Sequence, residues 1–473
     1  MKTAKKLEKC IIGSLHTFSE EEVSIIQKKL LIWYHKNKRL LPWRTIAEIE
    51  KDINKRVYSV WISEIMLQQT QVATVISYFQ KWISKWPTVE TLSKATLEEV
   101  NEVWAGLGYY SRARRLHEGA VKVVEELNGE IPRTRDKLIS GLPGVGQYTG
   151  SAIASIALKE NVGVVDGNVV RVFSRLRGIG KDSTSQVTID HFWSLANGIV
   201  DLTTPGDFNQ GLMELGATIC TPKNPQCTSC PLSNVCVAYA KCRNVNSLAN
   251  HFIKSENTDT KQEDQSYLRD IECLPDCDFC FSKEDWNESL GVQNYPRKGQ
   301  KTKSREEISA VVLIRRTNGE MLLLQRPAKG LLANLYEFVS ISISGEDDYE
   351  SYVTDKLVDD YGLTHKTAQS RKYITEVLHI FSHIRQTYRV YILEVNKDAK
   401  VIWPSHYQSH VWLNKDAFLA SATSTAMKKV LKATDSSATK NKDKSSKRKL
   451  EITPLQMKKQ KSIASFFVAT KKE

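Results

Sequence analysis

Four cysteines in the middle of the chain have the spacing of a metal site. Cys220, Cys227, Cys230 and Cys236 are separated by six, two and five residues and fall within one short segment. Four thiolates are the ligand set of a [4Fe–4S] cluster or of a structural zinc ion. The pattern predicts one of these two groups, and spacing alone leaves both open.

A glycine-rich turn lies upstream of this cysteine group. The stretch LISGLPGVGQYTGSAIASIAL, residues 138–158, predicts a helix, a tight turn and a second helix rich in small residues. Gly144 and Gly146 let the backbone turn sharply and approach a phosphate, while amides at the start of the second helix donate to the anion. Such a turn contacts DNA without reading its sequence. Taken alone, it also fits a tight corner between two helices.

Longer stretches carry a more specific pattern. They are LPWR (41–44), SEIMLQQTQV (63–72), GLGYYSRARRLH (106–117), VVDGNVVRV (164–172) and FNQGLMELGATIC (208–220). With the turn and the cysteine loop, they resemble the endonuclease III superfamily of helix-hairpin-helix glycosylases and, within it, the MutY family of adenine glycosylases, eukaryotic type. The resemblance covers residues 16–467. It implies base excision repair of double-stranded DNA containing adenine opposite 8-oxoguanine or guanine, and a [4Fe–4S] cluster on the four cysteines.

Two carboxylates within these stretches fit the cleavage of an N-glycosidic bond. That reaction needs an acid for the leaving purine and a negative charge facing an oxocarbenium-like sugar. Glu64 has apolar neighbours on its predicted helix, so its pKa should be raised and its carboxyl group protonated. Asp166 precedes Gly167, which allows a turn that presents the carboxylate to DNA. Without the resemblance, an exposed helix glutamate and an ordinary Asp-Gly turn would be the plainer interpretations.

The resemblance assigns roles around these carboxylates. It implies that Glu64 protonates adenine and then assists water, that Asp166 stabilises or transiently bonds the sugar carbon, and that Tyr148 and Asn168 support them. Relatives with lyase activity carry a lysine in place of Tyr148, whose amine forms a Schiff base with the sugar. A phenol forms none. The sequence therefore predicts a monofunctional DNA N-glycosylase.

Adenine must leave the duplex to reach such a site, so other residues have to fill the gap and hold the base. The resemblance implies two groups for this task. Those that wedge around and contact the opposite 8-oxoguanine are Gln69, Thr70, Leu107 and Tyr109. Those that form the adenine pocket are Trp43, Arg44 and Gln210. Taken singly, Leu107 and Trp43 would be interpreted as core residues.

The second half of the chain changes its apolar period. The runs ISAVVLIRR, EMLLLQRP, RQTYRVYILEV and HVWLN predict strands, with a helix around residues 348–361. QRPAKGLLANLYEF (325–338) and the triplet Phe381, Ser382 and His383 resemble a Nudix-type fold. The segment after Phe338 lacks the glutamate-rich helix that holds magnesium in a Nudix hydrolase. Hydrolysis is therefore not expected, and the resemblance implies that the triplet senses 8-oxoguanine, although His383 also fits a residue that merely satisfies a turn.

Three further cysteines lie between the two halves. Cys273, Cys277 and Cys280 supply three thiolates, and tetrahedral zinc needs a fourth ligand. His16 matches the family histidine that completes such a site, and Cys242 is the alternative. The interval from Cys273 to Cys277 is shorter than in the family, which puts the geometry in question. IEC at 271–273 weakly resembles a contact with the checkpoint clamp.

The C-terminal segment combines basic charge with one apolar motif. Residues 434–473 hold 11 Lys/Arg against 4 Asp/Glu, and KSSKRKL (444–450) predicts nuclear import or a merely solvated basic run. Gln460, Ile463, Phe466 and Phe467 form a QxxIxxFF motif, which in one helical turn presents apolar anchors to the groove of a sliding clamp (PCNA). We predict clamp binding and a nuclear location, and the sequence leaves a mitochondrial pool open.

Two folded domains are needed to position these residues, because 473 residues exceed the size of a single core. Apolar spacing of three and four residues from Phe18 to Ala240 predicts a nearly all-helical first half. The expected fold is an all-α helix-hairpin-helix glycosylase domain with an iron–sulfur cluster loop, followed by an α+β Nudix-like domain. The predicted boundaries are 1–20 for an N-terminal extension, 21–244 for the glycosylase domain, 245–305 for a connector, 306–432 for the Nudix-like domain and 433–473 for a disordered tail.

Composition limits the alternatives. A formal charge of +13 favours nucleic-acid binding without establishing it, and no apolar run reaches membrane-spanning length. Nine cysteines, seven of them in two groups, fit metal sites in an intracellular monomer better than a disulfide scaffold. Two rival functions are an endonuclease III-like glycosylase/lyase for oxidised pyrimidines and a non-catalytic DNA- or clamp-binding adaptor. Tyr148 and the domain with the triplet Phe381, Ser382 and His383 argue against the first, and the pair Glu64 and Asp166 argues against the second.

Overall fold

The computed structural model describes residues 15–243, 277–281, 285–299, 304–343, 348–364, 371–381, 383–397 and 399–440. In this part of the chain, no helix combines the length and apolarity that a membrane crossing requires. Several predicted site residues lie outside the described residues: Cys273, Ser382, Gln460, Ile463, Phe466 and Phe467. The checkpoint-clamp segment at 271–273 and the basic run at 444–450 lie outside them as well.

The first domain is helical, as expected. Its helices are α1 (Glu20–Asn37), α2 (Pro42–Ile49), α3 (Ile53–Leu67), α4 (Val72–Lys85), α5 (Val89–Ser93), α6 (Leu97–Trp104), α7 (Ser111–Glu126), α8 (Arg135–Gly141), α9 (Gln147–Leu158), α10 (Gly167–Leu176), α11 (Gln186–Ile199), α12 (Pro205–Thr218) and α13 (Val237–Arg243). Side-chain caps begin several of them. Ser19 and Glu22 form a reciprocal capping box at the start of α1, which satisfies amides that lack an intrahelical partner.

This domain has two hydrophobic cores. The first contains Trp61, Trp82 and Trp104 from α3, α4 and α6, all fully buried. The second packs α1, α10, α11 and α12 around phenylalanines such as Phe173 and Phe208. Helix α9 contacts α3 in the first core and α12 in the second. Side chains on α3, α9 and α12 therefore meet where the two cores join.

Helices α8 and α9 form the predicted hairpin. Gly144 in the turn has φ +79°, a left-handed conformation that glycine adopts at little cost. Gly150 allows the two helices to approach closely, since a Cβ there would lie 2.6 Å from Cγ1 of Ile139. The small residues of this stretch thus fix the angle at which the turn is presented.

The second domain is a mixed β-sheet covered by helices, which confirms the α+β Nudix-like prediction. The strands are β1 (Arg305–Arg316), β2 (Met321–Gln325), β3 (Tyr336–Glu337), β4 (Val339–Ile343), β5 (Lys372–Ile380), β6 (Ile384–Val395) and β7 (Ser409–Leu413). The sheet order is β3-β2-β1-β6-β5; β4 also pairs with β1, and β7 with β2. Only β1 and β6 pair in parallel among the described strands.

Alternation along β1 builds a core on each face of the sheet. Val312 and its alternate neighbours pack with helix α14 (Tyr349–Asp359), whereas Val311 and Leu313 pack with α16 (Thr425–Lys440). A short helix, α15 (Lys415–Ala420), precedes α16. Helix α16 extends eight residues beyond the boundary expected at residue 432.

Candidate active site

Helix α3 carries Glu64 into the interior. Residues 57–66 of this helix are all buried, and Glu64 itself is only 4% exposed. The phenol of Tyr148 on α9 donates a 2.6 Å hydrogen bond to its Oε2. Burial raises the pKa of Glu64 to about 7, with the Tyr148 bond acting against the rise and Asp166 adding to it. A carboxyl group with this pKa can act as an acid and then as a base near neutral pH.

Asp166 is the N-cap of α10. Its Oδ1 accepts hydrogen bonds from the amides of Asn168 (2.9 Å) and Val169 (2.7 Å), and its Oδ2 accepts one from Nδ2 of Asn168 (2.7 Å). Burial raises the pKa of Asp166, while these bonds and Arg171 act to lower it. The Asp-Gly-Asn segment is therefore more than a turn, because the helix start fixes the orientation of the carboxylate.

A chain of hydrogen bonds connects Asp166 with the cysteine loop. Nη2 of Arg171 donates to Oδ1 of Asn168 at 2.8 Å, and its Nε donates to the carbonyl of Cys220 at 2.7 Å. The same guanidinium reaches the carbonyl of Gly216 on α12. A Cβ at Gly216 would lie 2.6 Å from Cβ of Asn168, so α12 packs directly against this side chain.

The two carboxylates share a cavity of about 190 Å³. All three predicted adenine-pocket residues line it, together with the predicted lesion contact Thr70 and the two residues proposed to support the carboxylates. These lining residues are Trp43, Arg44, Thr70, Tyr148, Asn168 and Gln210. Arg44 donates from Nε to Oε1 of Gln210 at 3.0 Å, and Nε2 of Gln210 donates to the carbonyl of Gly206. Both ends of this amide are thereby oriented.

Glu214, on the wall of the same cavity, was not among the predicted site residues. Its side chain is 1% exposed and accepts two bonds from the guanidinium of Arg39, one from the amide of Arg39 and one from Arg44. Burial acts to raise its pKa, but the two arginines outweigh burial and lower the pKa below its ordinary value. Glu214 follows Gln210 by one helical turn in the stretch FNQGLMELGATIC (208–220). This spacing is the sequence feature that indicates that both side chains lie on the same face of α12.

A second, larger cleft of about 690 Å³ lies between the domains. Gln69 and Tyr109 line it from the helical side, and Phe381 and His383 line it from the sheet side. Gln69 (φ +53°) and Tyr109 (φ +49°) both adopt the left-handed backbone conformation, which is strained for such residues and concentrates at functional sites. Leu107, by contrast, is 6% exposed and belongs to the first core.

Direct hydrogen bonds join the domains beside this cleft. The hydroxyl of Tyr110 accepts from the amide of Gly106 at 3.1 Å and donates to the carbonyl of Thr423 at 3.2 Å. Nη1 of Arg114 donates to the carbonyl of Ala328 at 2.9 Å. The loop that carries Tyr109 is therefore tied to the sheet domain.

The four cysteines Cys220, Cys227, Cys230 and Cys236 line a single cavity after α12, surrounded by apolar side chains. Burial raises the pKa of Cys230 to about 12 and raises that of Cys236 further, so their thiolates need a nearby positive charge. Four thiols that line one cavity form a donor set that fits a metal group.

His16, Cys277 and Cys280 form a separate group whose ligand atoms lie within 4.8 Å of one another. His16 is 1% exposed, with Nδ1 2.8 Å from the carbonyl of Arg177 and Nε2 3.2 Å from Sγ of Cys280. A backbone partner on one ring nitrogen leaves the other available for a metal. The alternative ligand Cys242 is not a member of this group.

Comparison with known proteins decides the family. A model of the HhH-GPD superfamily of base excision DNA repair proteins matches residues 62–197, and a NUDIX domain model matches residues 310–433. The adenine DNA glycosylase of Homo sapiens is 44% identical over 431 residues, which are 89% of this chain and 76% of that protein. The chain belongs to the MutY family of adenine DNA glycosylases. The resemblance predicted from the sequence is thus confirmed.

Other members of the MutY family match over similar lengths. The adenine DNA glycosylase of Mus musculus is 43% identical over 90% of this chain and 81% of that protein, and the one of Schizosaccharomyces pombe is 38% identical over 81% and 85%. A solved thermostable thymine-DNA glycosylase aligns with a TM-score of 0.42 at 31% identity, over 46% of this chain and 97% of that chain. In this MutY-family chain, the matched repair domain includes Glu64, Tyr148, Asp166 and Asn168.

Proposed function

We propose that this protein is a monofunctional adenine DNA glycosylase of base excision repair, acting on adenine opposite 8-oxoguanine or guanine in double-stranded DNA. The observation that carries the proposal is the pair Glu64 and Asp166 in one cavity, with different surroundings. Burial raises the pKa of both groups, to about 7 for Glu64, and at Asp166 the hydrogen bonds from the start of α10 and the charge of Arg171 oppose the rise. Such a pair separates the roles of acid and charge stabiliser.

The proposed reaction proceeds in two steps. Glu64 gives its proton to a ring nitrogen of the extruded adenine while the bond to the sugar breaks and its electrons pass to the base. Asp166 then faces the positive charge that develops on the sugar and stabilises or transiently bonds its carbon. The Glu64 carboxylate next takes a proton from the attacking water, which restores the acid. Tyr148 and Asn168 hold these carboxylates through the hydrogen bonds described above.

Base recognition is proposed to use the same cavity. Arg44 occupies Oε1 of Gln210, so this amide presents an N–H donor to a ring nitrogen of adenine. Trp43 supplies an aromatic wall. Adenine has acceptors at its ring nitrogens, and a site with an oriented donor discriminates against bases that lack a matching acceptor.

The opposite 8-oxoguanine is proposed to occupy the cleft between the domains. The predicted contacts with this base are Gln69, Thr70, Leu107, Tyr109, Phe381, Ser382 and His383; among them, Gln69, Tyr109, Phe381 and His383 line the cleft, whereas Thr70 lines the carboxylate cavity and Leu107 packs in the first core. The hairpin turn with Gly144 and Gly146 is assigned to the DNA backbone. Because Gln69 and Tyr109 approach Phe381 and His383 across one cleft, the two domains would enclose the lesion together.

We further assign a [4Fe–4S] cluster to Cys220, Cys227, Cys230 and Cys236, and Zn²⁺ to His16, Cys273, Cys277 and Cys280. The single cavity lined by the first four cysteines and the close spacing of His16, Cys277 and Cys280 support a metal group at each site. Zinc would anchor the connector to the glycosylase domain. Neither metal is assigned a chemical step.

Partners and location follow from segments outside the described residues. We propose that Gln460, Ile463, Phe466 and Phe467 bind the sliding clamp (PCNA), that residues 271–273 contact the checkpoint clamp, and that the monomer acts in the nucleus. Replacing both Phe466 and Phe467 with alanine should abolish clamp retention on immobilised PCNA without changing excision. Unchanged retention would refute the motif assignment.

A single-turnover assay on a duplex with adenine opposite 8-oxoguanine tests the main proposal. The variants E64Q and D166N should each lose at least ~100-fold in excision rate. Borohydride should trap little covalent adduct with the wild type, since Tyr148 has no amine. Full activity of both variants would overturn the catalytic assignments, and efficient trapping would overturn the monofunctional assignment.

A further inference from the structure

Arg112, the second residue of α7, lies where three functional segments meet. It follows the loop of residues 106–110 directly in sequence, and its side chain is 7% exposed although the residue is an arginine. Its guanidinium lies 5.3 Å from the ring centroids of both Trp104 and Tyr109. Burial lowers its pKa to about 10, so the group keeps its charge at neutral pH.

The guanidinium caps the helix that carries Glu64. Nη1 of Arg112 lies 2.9 Å from the carbonyl oxygens of Ile65 and Met66 and also within hydrogen-bonding distance of that of Gln68. Carbonyls in the last turn of a helix have no intrahelical donor, and a cation there also interacts favourably with the helix dipole. Arg112 therefore fixes the end of α3 directly beyond Glu64.

The same group holds both loops that line the interdomain cleft. Nη2 donates to Oγ1 of Thr70 at 3.2 Å and to the carbonyl of Gly108 at 3.0 Å. These two contacts flank Gln69 and Tyr109, the residues with left-handed backbones. The planar guanidinium thus contacts two loops and one helix end. Nη1 and Nη2 contact the loop that carries Gln69, Nη2 also contacts the loop that carries Tyr109, and Nη1 also contacts the end of α3.

We propose that Arg112 is a positioning residue that makes excision at Glu64 depend on the base opposite the adenine. When 8-oxoguanine fills the cleft, it fixes the position of the loops that carry Gln69 and Tyr109. The rigid guanidinium, which contacts both loops, then fixes the end of α3 in a matching position. This inference rests on the proposed function, because it requires that the cleft receives the opposite base. It explains why a buried cation contacts both Thr70, on the wall of the carboxylate cavity, and the loop that carries Tyr109.

A role of Arg112 in fold stability alone predicts a different effect of its replacement. If Arg112 only stabilised the fold, its loss would lower the excision rate on every substrate by a similar factor and lower Tm. If it couples the cleft to α3, the loss would concentrate on the substrate that fills the cleft. The ratio of rates on two duplexes separates these possibilities, because equal losses cancel in a ratio.

The experiment compares R112Q and R112K with the wild type in single-turnover excision of adenine opposite 8-oxoguanine and opposite guanine, on duplexes of identical sequence. We expect R112Q to lower the ratio of the excision rate opposite 8-oxoguanine to the rate opposite guanine by ~10-fold, mainly because the rate on the 8-oxoguanine duplex falls. Lysine keeps the charge but lacks the planar guanidinium, so R112K should lower this ratio to a similar extent. R112K also provides the test if R112Q is too unstable to assay. An unchanged ratio in R112K, or in folded R112Q, would overturn the inference.

Arg56 provides a matched control. It is a half-buried arginine on α3 that donates to the carbonyls of Ala157 and Glu50, away from both loops. R56Q should lower Tm and leave the rate ratio unchanged; a ratio that falls as in R112Q would also count against the inference. The wild-type measurement tests the proposed function separately. A wild type that excises adenine from neither duplex refutes that function whatever the variants show.

Discussion

The hydroxyl of Tyr148 donates a 2.6 Å hydrogen bond to Oε2 of Glu64, joining α9 to α3 at the carboxylate cavity. A donor to the ionised form lowers a carboxyl pKa, whereas burial raises it, and here burial prevails with a pKa of about 7. The bond therefore sets how far the acid is raised.

Excision should decline with increasing pH above about 7, because the acid must carry its proton. In Y148F the opposing hydrogen bond is gone, so the pKa of Glu64 rises and the alkaline limb of the pH–rate profile should move to higher pH. Single-turnover rates from about pH 5 to 9 measure both. Y361F, which removes a phenol in the sheet domain, serves as the control; a limb that stays in place in Y148F contradicts this account.

E64Q should stabilise the fold while it abolishes excision. Folding raises the pKa of Glu64 from 4.5 to about 7, which means that the folded state holds the proton more tightly than the unfolded state. The contribution of Glu64 to the free energy of unfolding is therefore fully present below pH 4.5 and is lost as the pH rises through 7. Glutamine stays neutral throughout. The gain in unfolding free energy of E64Q should thus be small near pH 5 and approach, at most, ~3 kcal/mol near pH 8. Denaturant titrations at the two pH values measure this, and a gain independent of pH would refute the assignment.

Arg171 should act on the reaction through Asn168. R171Q removes the donor that orients Oδ1 of Asn168, and we expect an excision rate lower by ~10-fold or more. N168A should have a similar effect, and the double variant should lose little beyond either single one, because both changes break the same chain. Single-turnover rates of the three variants give this cycle. Fully additive losses would show that the two side chains act independently.

Glu214 should be required to hold Arg44 in the adenine pocket. E214Q leaves the guanidinium of Arg44, which is largely buried, without its anionic partner, so we expect a fall in stability of ~1–3 kcal/mol and slower excision. E48Q removes an exposed carboxylate paired with Lys38 and should change neither quantity. Thermal unfolding and single-turnover assays of both variants measure the difference. Equal behaviour of E214Q and wild type would exclude the role.

Zinc content should depend on His16 and Cys280, while iron content should not. The ring nitrogen of His16 and the sulfur of Cys280 lie 3.2 Å apart, and a tetrahedral site loses most of its affinity when one ligand is removed. We expect one zinc per chain in the wild type and a marked loss in H16N and C280S, with iron retained in both. Elemental analysis of both metals decides this, and a wild type free of zinc would eliminate the site.

The sequence predicted those parts of the protein that carry local patterns. Helical spacing anticipated the first domain, and alternating runs anticipated β1, β2, β6 and β7. Strand β5 was not anticipated, because its residues are half-exposed at the sheet edge and its alternation is weak. Buried surroundings were expected for Glu64 from its apolar neighbours, and the structure shows them.

Arg112 and Glu214 could not be singled out in this way. Each stands within a recognisable motif, but the importance of each depends on partners more than 40 residues away in the chain, such as Ile65 for Arg112 and Arg44 for Glu214. The spacing of Glu214 from Gln210 indicates a shared face of α12, but contacts with such distant partners leave no local period that would identify those partners. Leu107 shows the opposite situation. The resemblance predicted that its side chain wedges into the duplex, whereas in the structure the side chain packs in the first core.

The close packing of α12 on Asn168 has a consequence for inherited variation. Gly216 touches neither carboxylate, yet a single added methyl group there would collide with Asn168 and displace the partner of Asp166. An alanine at this position, ordinarily a mild helix substitution, would therefore have to displace Asn168 and is expected to slow excision.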